Sequence, residues 1–228
     1  MANTTLSAYL TTLRFILHDV NAVTFSDPQL INCVNLARDQ IISDISTPQA
    51  IVSFNLVNAQ FAYPFTTILT SVTNLGLPAR AVQSILGVNF FQSPTLGVPL
   101  EPLPWSIFNQ RYRLVPVPAL PDSYSVPDSG GMNSSLYIGP PPSGNTWTAE
   151  VRCCWLGNPL ANYTDVENVV PSPMAESLVP FLAAKWAWSF NNDEDTADKF
   201  EAKYERLVLK MSANMPPFAS IPFSSIYD

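Results

Sequence analysis

Apolar residues recur at two periods along this chain. Near its start Leu6, Tyr9, Leu10, Leu13, Ile16 and Leu17 fall on helical spacing and predict an amphipathic helix over residues 5–20, with Asn3 or Thr4 as its cap. A second helix opens at Asp27, an N-cap residue type followed by Pro28 at the first helical position. Leu30, Val34, Ala37, Ile41 and Ile45 form its stripe, and it ends before Thr47 and Pro48. Ile31 and Ile42 widen that stripe beyond one face, which predicts burial by several neighbours: the first helix, the later helices or another subunit.

From Ile51 to about Trp155 the pattern becomes alternating and rich in β-branched and aromatic residues, broken by many of the 22 prolines. The predicted strands are Ile51 to Leu56, Phe61 to Phe65, Val82 to Phe91, Trp105 to Leu114, Leu136 to Ile138 and Trp147 to Trp155. Proline cannot donate to a ladder, so the intervening VPLEPLP, VPVPALPDSYSVPDSGG and GPPPSGN read as edges and turns of a small twisted sheet or sandwich.

Helical spacing returns with Met174, Leu178, Phe181, Leu182, Trp186 and Phe190, opened by Ser172 and Pro173. Pro180 conflicts with it and predicts a kink, or a true start nearer Ser177. Asp193 caps the last helix, whose stripe is Ala197, Phe200, Tyr204, Leu207, Val208 and Met211. The residues after Ser212 read ANMPPFASIPFSSIYD, too apolar for a solvated tail and too rich in Pro and Ser to fold alone. Strands leading directly into helices require a β layer packed on helices of the same chain, an α+β class.

Composition narrows the function. The chain has 228 residues, 47% hydrophobic and only 13% charged, so it buries a real core and its low surface charge points to self-association. A net charge of −7 with no Lys/Arg cluster argues against a nucleic-acid-binding face, although an acidic sleeve can surround DNA without holding it. No basic leader precedes an apolar run, and no run is long enough to span a membrane, so a protein made in the cytoplasm is expected.

Chemistry is not visible. Cys33, Cys153 and Cys154 lack disulfide or zinc spacing, and the adjacent pair should place one thiol inward and one outward. His18 is the only histidine and falls near a helix end. No phosphate-binding, dinucleotide, zinc-protease or serine-elbow motif occurs, so no catalytic residue, cofactor or metal is expected. Arg111 and Arg113 share one face of a strand-like segment, and Asp193, Glu194, Asp195 and Asp198 serve a helix start. Asp165 and Glu167 flank the crossover without the spacing of a calcium loop. Five tryptophans raise a carbohydrate- or receptor-binding β module as an alternative, and scattered acids raise a carboxylate hydrolase.

The segments FSDPQLINCVNLARDQI, PLEPLPWSIFNQRYR, SLYIGPPPSGNTWTAEVRCCWLGNPL and FLAAKWAWSFNNDEDTADKFEAKYERLVLKM, in that order, resemble the head-to-tail adaptor proteins of tailed bacteriophages, also called head-completion, gatekeeper or connector proteins. The resemblance implies a helical bundle formed by the N- and C-terminal helices, with an inserted antiparallel β-sheet or sandwich region and an extended C-terminal arm. The implied division is a discontinuous helical domain of residues 1–50 and 165–213, an inserted β domain of residues 51–164, and an arm of residues 214–228. It further implies a non-enzymatic virion protein of the neck, made in the host bacterial cytoplasm, in a ring of twelve copies beneath the portal protein. The ring would extend the DNA channel and receive the tail nozzle or tail-tube protein, with DNA passing through unbound and no membrane partner. Phe218, Ile221, Phe223, Ile226 and Tyr227 of the arm are the expected contacts with the portal or a neighbouring subunit.

Overall fold

The computed structural model describes residues 4–93, 96–113, 117–127, 134–144 and 146–214, and the chain divides into two compact units. One comprises residues 1–41 and 160–228, the other residues 42–159.

The first unit is helical. Helix α1 (Leu6–Ile16) is capped by Thr5, whose hydroxyl accepts from the Ala8 N–H at 3.2 Å. It stops short of the expected residue 20 because His18 turns left-handed at φ 55°. Asp19 N–H then reaches the Arg14 carbonyl at 3.0 Å and His18 N–H the Phe15 carbonyl at 3.2 Å, so the last carbonyls are satisfied without another turn. Helix α2 (Asp27–Ile45) buries Leu30, Cys33, Val34, Ala37, Ile41 and Ile42, so the chain itself covers most of the widened stripe and leaves Ile31 and Ile45 half-buried.

Helix α5 (Ser172–Phe190) runs through Pro180 from the earlier of the two expected starts. An internal proline costs about 3 kcal/mol, while each Leu or Val buried gains about 1.5–3 kcal/mol, so full burial of Leu178, Val179 and Leu182 outweighs it. It ends at Asn192 (φ 58°) by the same left-handed device as α1, Asp193 N–H bonding the Trp188 carbonyl at 3.1 Å. Asp193 then caps α6 (Glu194–Asn214) as expected, accepting from the Thr196 N–H at 3.0 Å. Helix α5 packs on both α1 and α6.

The second unit holds two four-stranded sheets. In the first, β1 (Gln49–Asn55), β8 (Thr148–Gly157), β3 (Ala79–Ser93) and β4 (Leu96–Pro99) are neighbours in that order, all antiparallel. The second runs β2 (Ala62–Pro64), β7 (Ser135–Gly139), β6 (Ser123–Ser125), β5 (Glu101–Pro102), and its β5–β6 pair is parallel. Strand β3 slips register against β8 three times, which accommodates residues 79–91 of β3 against the 10 residues of β8.

One segment folds as a helix where no element was predicted, and another departs from an expected strand. Phe65–Asn74 forms α3, packed on β1 and β3, with Phe65, Ile68 and Val72 buried at helical spacing. Trp105–Phe108 forms a short helix, α4, continued by a π turn over Asn109–Arg113, where a strand was expected. Trp105, Phe108 and Tyr112 also fall on helical spacing, and Phe108 and Tyr112 are buried.

The cysteine expectation is corrected as well: Cys153 and Cys154 are both fully buried. Cys153 lies opposite Ala50, on the face β1 buries with Ala50, Val52 and Phe54. Cys154 points the other way, and there its thiol meets the Ile42 carbonyl at the end of α2, 3.9 Å away. Its side of β8 is therefore covered at this end, although Ile51 on the same face is exposed.

Candidate functional site

The helical unit has one fully buried polar centre. Arg38 sits in the apolar stripe of α2, and the crossover before α5 brings Glu167 to it: Arg38 Nε donates to Glu167 Oε2 at 2.7 Å and Nη2 to Oε1 at 3.1 Å. Tyr9 donates its hydroxyl to Oε2 at 3.1 Å, and the N–H groups of Val169 and Val170 reach Oε1 at 2.9 and 3.0 Å. Burial alone pushes the Glu167 carboxyl up, but the Arg38 hydrogen bonds and charge, then the Val170 and Val169 N–H groups, hold it below the usual carboxylate range. Burial and the neighbouring carboxylate raise the Tyr9 hydroxyl. Both oxygens of the Glu167 carboxylate are held by donors of the protein, so the centre fastens α1, α2 and the crossover together. Asp165 is similarly occupied, accepting from the Ala161 and Asn162 N–H groups at 2.7 and 2.8 Å.

A second network shapes the turn between α1 and α2. Asp19 accepts from the N–H groups of Val23, Thr24 and Phe25 at 2.9 to 3.0 Å, the Thr24 bond first among the causes that hold its carboxyl low. Arg14 spans the turn, donating to the Asp19 carboxylate, to the Phe25 carbonyl at 3.2 Å and to Asp27. Asp27, expected as a helix cap, accepts instead from Arg14 and from the Tyr163 hydroxyl at 2.7 Å. This framework fixes a turn whose apolar side chains face water: Phe15, Val20 and Val23 are 73%, 71% and 84% exposed.

The second unit also leaves Ile51, Val57, Leu75, Ile107, Val117 and Leu120 exposed. Arg111 and Arg113, expected on one strand face, lie in the π turn, Arg111 over the Tyr112 ring at 5.1 Å and Arg113 over Trp105 at 5.4 Å. Their charge is spent on aromatic faces of the same unit, and Arg111 also pairs with Asp122 at 3.5 Å.

The tryptophans do not gather into a sugar platform. Trp155 is buried, Trp105 meets Tyr137 at 4.7 Å, Trp147 meets Phe90 at 5.2 Å and Trp188 meets Phe25 at 5.2 Å. Among the described residues no three His, Cys, Asp or Glu side chains stand together as metal ligands, and no helix is long and apolar enough to cross a membrane. Phe218, Ile221, Phe223, Ile226 and Tyr227 lie outside the described residues.

What the geometry presents among the described residues, then, is exposed apolar surface on each unit. The family model described as SU10 adaptor protein matches residues 4–217, nearly the whole chain. The chain belongs to the SU10 adaptor protein family. The likeness to tailed-phage head-to-tail adaptors drawn from its element order is thereby borne out, and the adaptor is a structural phage protein by family. No curated protein matches the chain significantly.

Sequence reasoning missed the Arg38–Glu167–Tyr9 centre of this adaptor. The available signal was Arg38 itself, a cation set among Val34, Ala37 and Ile41 on the buried stripe of α2, which demands a buried acid as partner.

Proposed function

We propose that this adaptor closes into a ring beneath the portal in the virion neck, extends the DNA channel and gives the tail nozzle or tail tube its platform. The observation that carries this reading is the α1–α2 turn, where Arg14 and Asp19 tie down the backbone that presents Val20 and Val23 to water, with Phe15 also exposed at the end of α1. A preordered backbone loses little entropy on contact, so it suits a permanent protein interface. A closed ring joins two different surfaces of each copy, and the exposed apolar residues are spread over several elements instead of one self-matching patch.

Charge fits the same picture. Twelve copies at −7 each carry −84, a collar that repels a duplex along its wall and lets it slide. Residues 214–228 serve as a docking arm, with Phe218, Ile221, Phe223, Ile226 and Tyr227 buried on the portal or a neighbouring subunit. The test is native mass measurement with purified portal. The wild-type chain should join the portal as a multiple-copy ring, and Val20→Asp with Val23→Asp should lose that ring while keeping its helical circular dichroism. A chain ending at residue 213 should fold yet fail to join portal-bearing heads. Unimpaired assembly by both altered chains would sink the reading.

A further inference from the structure

The helical unit carries a groove between α1 and α5, with a volume of about 400 Å³, walled by Thr5, Ala8, Tyr9 and Thr12 on one side and by Glu176 and Pro180 on the other. Ala8, Thr12 and Phe15 stand at i, i+4 and i+7, so the exposed Phe15 ring prolongs the α1 wall. Glu176 is the only charged residue lining the groove. Pro180 has no N–H, so the Glu176 carbonyl lacks its helical donor four residues on, and both residues border the groove. The site thus offers a floor with more apolar than polar surface, built on Ala8, Pro180 and threonine side chains, a shelf at Phe15, and at its border a carbonyl without its helical donor, which suits an extended apolar strand of chain.

The fold also brings one stretch of chain toward it. Helix α6 runs back antiparallel along α5: Lys185 Nζ meets Glu201 at 3.1 Å, and further along Ser177 Oγ meets Met211 Sδ at 4.0 Å. The last turn of α6 therefore lies by Ser177, the neighbour of Glu176 in α5. The residues after α6 read MPPFASIPFSSIYD, with Asp228 their only charged residue. Fully extended, these residues span about 46 Å, against about 15 Å from Thr5 to Phe15. A tether this short gives an effective concentration on the order of millimolar, so the chain's own groove outcompetes that of another copy.

We propose that, in the free chain before it meets the portal, residues 215–228 seat in the α1–α5 groove of their own chain, with Phe218 and Ile221 over Ala8 and Tyr9 and the following aromatic residues against Phe15, and that they leave this seat on assembly. The seat hides an apolar segment that would otherwise face water. It stands apart from the ring reading, since a chain with no portal partner would seat the segment equally well.

The test uses the full-length protein and chymotrypsin, which cuts after Phe218, Phe223 and Tyr227, with mass spectrometry timing each cut. Ala8→Trp fills the groove at an exposed position, and Phe218→Ser removes the anchor outside the described fold. Cutting after Phe223 should be about tenfold slower in the wild type than in either variant, the protection that a tenfold seating equilibrium gives. That protection should persist on hundredfold dilution. Equal rates in all three proteins would overturn the proposal, and so would protection that fades on dilution, which would place the segment on another copy. Should Ala8→Trp fail to fold, the comparison with Phe218→Ser decides alone.

Discussion

Replacing Glu167 with Ala is the sharpest probe of the helical unit. Arg38 and Glu167 keep only 3% and 2% of their side-chain surface exposed, so the substitution strands a guanidinium where water cannot reach it. It also removes the acceptor of the Val169 and Val170 N–H groups and of the Tyr9 hydroxyl. Breaking a buried pair from one side costs about 3–5 kcal/mol, which in a chain of this size lowers the melting temperature by roughly 6–20 °C. Differential scanning calorimetry reads the shift directly. The double change Arg38→Met with Glu167→Met should cost clearly less than the sum of the single changes, because no lone charge then remains. The acid limb supplies an independent sign. The folded Glu167 carboxyl lies below the unfolded value of about 4.3, so its contribution is complete above that pH and is lost as pH falls through the folded value. Glu167→Ala should therefore flatten the loss of stability below about pH 4.3. A cost under about 1 kcal/mol, with an unchanged acid limb, would refute the view that this centre fastens the unit.

Two further outcomes follow from packing. Burial raises the thiols of Cys33, Cys153 and Cys154 to about 11, about 12 and about 11, so a disulfide dye at pH 8 should find none reactive in the folded protein and all three after urea unfolding; prompt stoichiometric release from the native chain would contradict the burial. A methyl group at Gly139 would stand 2.7 Å from the Tyr112 ring and 2.8 Å from the Phe108 ring, both buried. Gly139→Ala should lower stability to urea by about 1–3 kcal/mol, and an unchanged midpoint would mean that the aromatic cluster yields freely.

The four long helices were legible because each buries a stripe of period 3.6, which survives any tertiary context. Helix α3 was not, since FTTILTSVTN is rich in threonine and β-branched residues that favour strands, and its Phe65, Ile68 and Val72 stripe is short. The Trp105–Arg113 segment misled for the same reason, its aromatics at helical spacing taken for strand composition. Cys154 shows a different limit: alternation places it on the outward face correctly, and only the end of α2 decides that this face is covered. The Glu167 centre left a single trace, the cation Arg38 on the apolar stripe of α2, and nothing local named its partners, because Arg38 and Tyr9 stand 129 and 158 positions from Glu167.

That separation has a consequence for how the protein is made. Residues 42–159 are contiguous and emerge together, whereas Arg38 cannot meet Glu167 until the ribosome has added 129 more residues. At about 5–20 residues per second the wait is roughly 6–26 s. Through that interval the apolar sides of α1 and α2 lie uncovered, a standing demand on chaperones that ends only when the crossover is delivered.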